Sequence, residues 1–306
     1  MHVSNIVMRD INERQRDISG IFKQYTKFVK PALEKFVRPQ AKVADVVVPR
    51  GVENLKAIDM ISQDISVALK LKSEAHLRSL KKLKLESCTL SISPKSHVTL
   101  LPQMPQLLRM LTVIRDKNTD REDFIFGMKR MARLLIESAL NQVPYSTKII
   151  KTPTGSSYHG LAQDCKICAV SILRGGQPLE SAFGEMFVDP VIGKMLIQSD
   201  STTGEPSLHS LHLPHDIKNR QVFLLDAQIS TAFTALMAIR VLLDHGVNPK
   251  NLFFLTVLAA SEGLQTVENI YPDVRIYTAA IDQSDKGLSR ILIPGAGNIG
   301  YRWNGA

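Results

Sequence analysis

Cysteine is scarce: Cys88, Cys165 and Cys168 are the only three in 306 residues. That excludes a disulfide framework and makes a reducing, cytoplasmic setting the expected one. Aromatics are few, 6% of the chain with a single tryptophan. Neither zinc-finger spacing nor an aromatic-rich RNA-binding signature occurs, so nucleic acid is a disfavoured partner. No apolar run is long enough to span a bilayer; the nearest, Val222 to Leu243, is interrupted by Asp226, Gln228 and Arg240. The N-terminus lacks the basic-then-apolar order of a signal peptide. Acidic residues are thin in the first third, where 10 Asp+Glu face 18 Lys+Arg over residues 1–100, net +8 against +1 for the remainder. Such a charge placement suits phosphorylated ligands or a partner better than a fold-wide role.

What is present is a normal apolar fraction, 44%, in a chain long enough for one large domain or two ordinary ones. Ile18, Ile21, Phe22, Tyr25, Phe28 and Val29 recur at helical spacing and predict a helix over 10–37, kinked at Pro31. "ADVVVPRG" (44–51) reads as a buried strand, and residues 54–70 as a second amphipathic helix. The basic, aromatic-poor stretch 73–100 reads as a linker. From Leu101 the pattern changes. Thr119-x-x-Glu122 has the form of a capping box opening a helix at 121–140. Near-continuous apolar strands then alternate with helices: "KICAVSILRG", "KMLIQS", "QVFLLDA", "NLFFLTVLAA" and "VRIYTAAID" are the strands. This is the signature of an α/β fold, a parallel sheet flanked by helices on both faces.

Three clusters in that second part suit chemistry. Arg174 with Gly175-Gly176 stands where a strand ends, the place where parallel sheets bind ligands. Paired glycines let backbone amides meet an anion, and the arginine can grip a phosphate bidentately. The alternative is a tight turn with a solvated arginine. "FLLDAQISTAF" (223–233) is a strand, a polar turn and a helix start. Asp226 there can accept from sugar hydroxyls, and Ser230, Thr231 and Thr234 can donate to a phosphate at the helix N-terminus. Ordinary turn capping is the competing possibility. The tail, "LIPGAGNIGYRWNGA" (292–306), contains G-x-G-x-x-G. A dinucleotide fold is excluded because no βαβ unit follows. A glycine-rich hood over a flat heterocycle, with Trp303 for packing, suits it better than loose coil. Two further groups are read without a metal. Cys165-x-x-Cys168 lacks a second pair, and His209, His212 and His215 lack a carboxylate-rich surround.

"IRDKNTDREDFIF", "TPTGSSYHG", "KICAVSILRGGQPLE", "IGKMLIQSDSTTGEP" and "IPGAGNIGYRWNGA" occur in the order and spacing of uracil phosphoribosyltransferase. Residues 101–306 thus resemble that family, whose sheet is of the type I phosphoribosyltransferase kind. Residues 1–72, through "RDINERQRDISGIFKQYTKFVKPALEKFV" and "ADVVVPRGVENLKAID", resemble the C-terminal end of a uridine-cytidine kinase domain. The pairing is the layout of the uridine-cytidine kinase-like proteins, with a short α/β remnant of the nucleoside kinase in front.

The resemblance implies ligands and roles. Phosphoribosyl pyrophosphate (PRPP), uracil and UMP are the implied ligands, with Mg²⁺ accompanying PRPP and a homodimer as the assembly. Arg174 would meet the pyrophosphate and Asp226 the ribose hydroxyls. Ser230, Thr231, Ala232, Phe233 and Thr234 would hold the 5′-phosphate, and Leu292, Gly297, Asn298 and Ile299 would frame uracil. Residues 199–213 would form a mobile flap. In the kinase remnant, Arg9, Arg14, Arg16 and Gln24 would be the nucleotide contacts, with Gln15 where that pattern has glycine. No G-x-x-x-x-G-K-[ST] occurs, so no ATP site is expected. Phe233 stands where glycine or alanine is usual, and Tyr301 and Asn304 depart from the usual hood sequence, G-D-R-Y-F-G-T. Impaired turnover is therefore expected, with a binding or regulatory role in pyrimidine salvage. The alternatives are an active uracil phosphoribosyltransferase and a non-enzymatic docking partner of a full-length uridine kinase.

Overall fold

The computed structural model describes residues 17–44, 47–48, 54–82, 97–199, 205–285 and 291–305. The chain forms two compact units, residues 1–68 and 69–306.

In the first unit, Asp17 caps helix α1 (Ile18–Gln24), its carboxylate accepting from the Gly20 amide at 3.2 Å. Helical backbone continues to Lys42, but through wide π turns at Tyr25–Val29 and Leu33–Val37. These flank Pro31, which has no N–H to donate and crowds the preceding turn. Phe28 is 60% exposed, while Ile21 is buried. The strand expected at 44–51 is not formed at its described positions: Val47 and Val48 lie in no strand, and Val47 is 59% exposed. A strand needs a neighbour to take its ladder hydrogen bonds, and the described residues of this unit supply none. Helix α2 (Leu55–Lys82), which begins in the first unit and whose residues from Leu69 fall in the second, runs twelve residues past the expected end at 70. Nothing in it stops a helix; it contains neither proline nor glycine. The segment expected as a linker, 73–100, is therefore helical to Lys82 and ends in a sheet strand, β1 (Val98–Leu100).

The second unit is a nine-stranded sheet with helices on both faces. After β1 come α3 (Pro105–Arg115) and α4 (Arg121–Leu140). Strands β2 (Tyr145–Lys151) and β3 (Ser157–Gln163) form a separate antiparallel hairpin. Then follow β4 (Ile167–Leu173), α5 (Gln177–Met186), β5 (Ile192–Ser199), β6 (Pro206–His212), β7 (Gln221–Leu225) and β8 (Gln228–Ile229). The chain continues with α6 (Phe233–Asp244), β9 (Leu252–Ala260), α7 (Ser261–Ile270), β10 (Arg275–Ser284), β11 (Leu292–Ile293) and α8 (Ile299–Asn304). The order is β1-β10-β9-β7-β4-β5-β6, with β8 beside β9 and β11 beside β10. Pairings are parallel except β5 with β6 and β10 with β11.

The apolar strands explain the layering. All nine residues of β9 are buried, and its alternate side chains enter opposite cores. Phe253, Leu255 and Val257 join α3, α4 and α5, while Leu252 and Phe254 join α6 and α7. Phe187, Phe183, Phe223, Phe253 and Tyr277 form a chain of ring contacts across the strands, with centroids 4.4–6.3 Å apart. The expected flap, 199–213, is an edge strand over 206–212, because Pro206 and Leu208 bury their side chains beside β5. Residues 200–204 lie outside the described ones.

The capping box at 119–122 is also replaced. Asp120 caps α4, its Oδ1 accepting from the Asp123 amide at 2.8 Å. Thr119 Oγ1 instead donates to the Val113 carbonyl at 2.7 Å. Asp is the stronger cap, so the helix starts one residue later than the box requires. Asp120→Ala is expected to lower stability by about 1 kcal/mol, and Glu122→Ala by a few tenths. Urea unfolding of the full chain, followed by fluorescence of the single tryptophan, measures both.

Candidate functional site

The site is built from three turns, two at the carboxyl ends of parallel strands and one after the antiparallel strand β11. The first follows β4. A cis peptide joins Leu173 to Arg174, and Gly175 and Gly176 lead into α5. The glycines are required by neighbours. A Cβ on Gly175 would stand 2.2 Å from Asp226 Oδ1, and one on Gly176 would stand 2.3 Å from the Leu225 carbonyl. Their absent side chains bring the end of β7 against this turn. Gly176 N–H is already used, donating to the Ile172 carbonyl at 2.7 Å. The exposed Arg174 side chain supplies the positive charge here.

The second turn follows β7. Asp226 is pressed against Gly175 with no ion-pair partner among the described residues. Burial pushes its carboxyl up to about 7, opposed by backbone N–H groups of Gln228 and Ala227. Beyond β8, Ser230 to Ala232 turn into α6. Ala232, the residue before the helix, has φ +66°, a left-handed conformation that glycine adopts freely and alanine does not. Gly263 of α7 lets this turn descend, since its Cβ would meet the Ser230 carbonyl at 2.4 Å. Thr234 Oγ1 lies 3.5 Å from Ser199 Oγ.

The third turn is the hood, entered by a cis Ile293–Pro294 bond. Asp282 accepts from the Gly295 amide at 3.0 Å and from both terminal nitrogens of Arg115, at 2.8 and 2.7 Å. Arg115 also donates to the Gly295 carbonyl at 2.8 Å. Arg302 donates to the carbonyls of Ile114, of Ala296 at 3.1 Å and of Asp116 at 2.8 Å, and stacks over Phe124. Asn298 caps α8, accepting from the Tyr301 amide at 3.1 Å. Gln228 Nε2 ties the hood to the second turn by donating to the Gly297 carbonyl at 3.2 Å.

Between the turns lies a cavity of about 740 Å³. Arg174, Asp226, Ser230, Leu292, Gly297, Asn298 and Ile299 are all on its wall, as are Gln198 and Ser199 from the end of β5. Seven of the residues proposed from sequence are thus brought together. Thr231, Ala232, Phe233 and Thr234 are not among the described wall residues, although they follow Ser230 directly; Phe233 is half-buried. Of the kinase-remnant contacts, Arg9, Arg14 and Arg16 lie outside the described residues, and Gln24 is exposed in the first unit. Sequence reasoning missed Gln198 and named Ser199 only as the first residue of the expected flap; the strand-end rule would have nominated both. It also missed the clamp of Arg115 and Asp282. Cys168 is buried in β4, where burial pushes its thiol up to about 12, as suits a core residue.

The family model described as uracil phosphoribosyltransferase matches residues 101–306. The chain belongs to the uracil phosphoribosyltransferase family. A second model, phosphoribulokinase / uridine kinase family, matches residues 1–57, so the two fall in the order expected of a uridine-cytidine kinase-like protein. Uridine-cytidine kinase-like 1 of Mus musculus is 45% identical over 301 residues, which cover 97% of this chain and 53% of the relative. Uridine-cytidine kinase A of Dictyostelium discoideum is 37% identical over 299 residues, 97% of this chain and 58% of that one. Uridine kinase of Schizosaccharomyces pombe is 35% identical over 280 residues, 92% and 62% respectively. The chain therefore spans little more than half the length of these curated relatives. Among solved structures, the AQ2163 protein from Aquifex aeolicus superposes with a TM-score of 0.60 at 24% identity, covering 67% of this chain and 97% of that one. That likeness supports the fold of the uracil phosphoribosyltransferase domain.

The raised pKa of Asp226 has a signed consequence for stability. The unfolded carboxyl titrates near 3.8 and the folded one near 7. Between these values the folded state holds a proton that the unfolded state has released, so stability falls as pH rises through this window. Asp226→Asn is expected to melt higher than wild type at pH 8 and equally at pH 4. Thermal melts of both proteins across that range give the comparison.

Proposed function

We propose that residues 101–306 bind uracil, PRPP and UMP as a pyrimidine-salvage module with impaired turnover. The observation that carries this reading is the convergence of Arg174, Asp226, Ser230 and the hood residues on one cavity of about 740 Å³. In an active phosphoribosyltransferase, the bond from the anomeric carbon to pyrophosphate breaks as the bond to uracil nitrogen forms. Positive charge develops on the sugar, so the protein mainly positions and neutralises. Here the Arg174 guanidinium faces the pyrophosphate, and the Asp226 carboxyl accepts from the ribose hydroxyls. Ser230 to Thr234, at the N-terminus of α6, receive the 5′-phosphate. Leu292 and the backbone of Gly297 to Ile299 frame uracil. Mg²⁺ enters as part of the substrate, bound to PRPP; Asp226 is the one carboxylate on the described cavity wall.

The impairment originates in the phosphate turn. Ala232 carries a methyl group at φ +66°, and the next residue is the bulky Phe233. A poorly oriented anion site loses about two to three decades in rate. With no G-x-x-x-x-G-K-[ST] in its 306 residues, the chain is not proposed to phosphorylate uridine. In this reading the protein is a cytoplasmic homodimer. No described helix is long and apolar enough to cross a membrane.

A second reading, an active uracil phosphoribosyltransferase, is favoured by one observation: Phe233 is not among the described wall residues of the cavity. The two separate cleanly. Calorimetric titration with UMP is expected to show binding, and radiolabelled uracil with PRPP is expected to give UMP at a rate that Phe233→Gly raises at least tenfold. Robust wild-type turnover, unchanged in Phe233→Gly, establishes the second reading. Absence of UMP binding at millimolar concentration overturns both.

A further inference from the structure

We propose that the C-terminal helix α8 positions Arg174 for the diphosphate end of the substrate, with Tyr301 as the platform for its guanidinium. This rests on the reading of the cavity as a PRPP and uracil site. The guanidinium carbon of Arg174 lies 5.1 Å from the centroid of the Tyr301 ring. That is cation–π distance. The arginine is exposed and has no carboxylate partner among the described residues. Its stem also runs beside the helix: a Cβ on Gly300 would lie 3.6 Å from Arg174 Cβ.

A second contact joins the same two pieces of chain. Asn304 Nδ2 donates to Gln177 Oε1 at 3.0 Å. Gln177 opens α5 and its amide donates to the Arg174 carbonyl at 3.3 Å. Tyr301 and Asn304 are three residues apart, hence on one face of α8. Arg302 fastens the helix elsewhere, to the carbonyls of Ile114, Ala296 and Asp116. Arg302 therefore fastens the helix to the end of α3 and the hood, Tyr301 and Asn304 contact Arg174 and Gln177, and the cap, Asn298, sits on the cavity wall. Tyr301 and Asn304 are two positions where this tail departs from the usual hood sequence, and both departures touch the Arg174 turn.

A ring and a carboxylate act differently on the arginine at this place. A carboxylate beside Arg174 would neutralise it and compete with the diphosphate. An aromatic face attracts the cation yet leaves its N–H groups and its charge for the ligand. An exposed arginine otherwise samples many rotamers, and ordering them opposes binding. Tyr301 is thus a positioning residue acting through Arg174.

The test uses the full chain and its Tyr301→Leu and Tyr301→Phe variants. Calorimetry with magnesium diphosphate is expected to show about 2- to 5-fold weaker binding for Tyr301→Leu, the size of an exposed cation–π contact. UMP affinity should stay within twofold, and Tyr301→Phe should bind both ligands as wild type does. A ligand-free arm reads the platform directly. The Arg174 Hε resonance, identified by its absence in Arg174→Lys, should carry an upfield ring-current shift that Tyr301→Leu loses and Tyr301→Phe keeps. If wild type binds both ligands and Tyr301→Leu changes neither diphosphate affinity nor the Hε shift, the inference is overturned alone. If wild type binds neither ligand, the site reading falls and the inference with it. A Tyr301→Phe variant as weak as Tyr301→Leu also overturns the platform role.

Discussion

A buried carboxylate holds the hood in place. Asp282 is 5% exposed and its two oxygens are taken by the Arg115 fork and the Gly295 amide. A charge at that depth is tolerable only with a partner of good geometry and with its remaining lone pairs satisfied. Both conditions are met by groups that must then sit at one place. Arg115 is at the end of α3, and Gly295 follows the β11 strand. Their shared carboxylate therefore sets the height of the tail above the sheet. Together with the Gln228–Gly297 bond and the Arg302 contacts, it keeps Leu292 and Gly297 to Ile299 on the cavity wall with Asp226.

Asp226 is the opposite case within the same site. It has no ion-pair partner among the described residues, and burial disfavours its charge. The protein thus keeps one charged carboxylate in a fully bonded clamp and leaves a second poised near neutrality beside the cavity. The close approach that makes this possible comes from glycine. At Gly175, any side chain would strike the Asp226 oxygen, and at Gly263 it would strike the Ser230 carbonyl. The phosphate turn has the reverse condition. Ala232 holds a left-handed φ with a methyl group attached, a conformation that disfavours L-residues by about 1–2 kcal/mol. Packing of the Ala232 side chain into the core beside α6 offsets part of that cost.

The parallel strands were legible because a short, continuous apolar run between helical patterns can be buried on both faces only at the centre of a covered sheet; "NLFFLTVLAA" is buried at every residue of β9. The β2–β3 hairpin and the edge strand β6 were not anticipated. Both are antiparallel, the hairpin is largely exposed, and β6 buries only Pro206 and Leu208, so burial leaves a weaker imprint on their composition. The strand expected at 44–51 shows the converse. An apolar run, "VVV", raises the propensity, but a strand also needs a neighbour. The bounds of α4, 121–140, were legible, but its cap was not: the choice between Thr119 and Asp120 turned on which side chain had a better use elsewhere. Thr119 had the Val113 carbonyl.

For the site, sequence by itself determined which residue types stand at the strand ends: Arg174, Asp226, Ser230 and the glycines of the tail. Local spacing suffices for that, because a strand end is announced by where its apolar run stops. Tertiary structure alone decided which of these meet. Arg115 and Asp282 are 167 residues apart in the chain, and Tyr301 and Arg174 are 127 apart. No local pattern encodes such pairings. They exist because parallel strands must be joined by crossovers, and crossovers bring distant turns to one edge of the sheet.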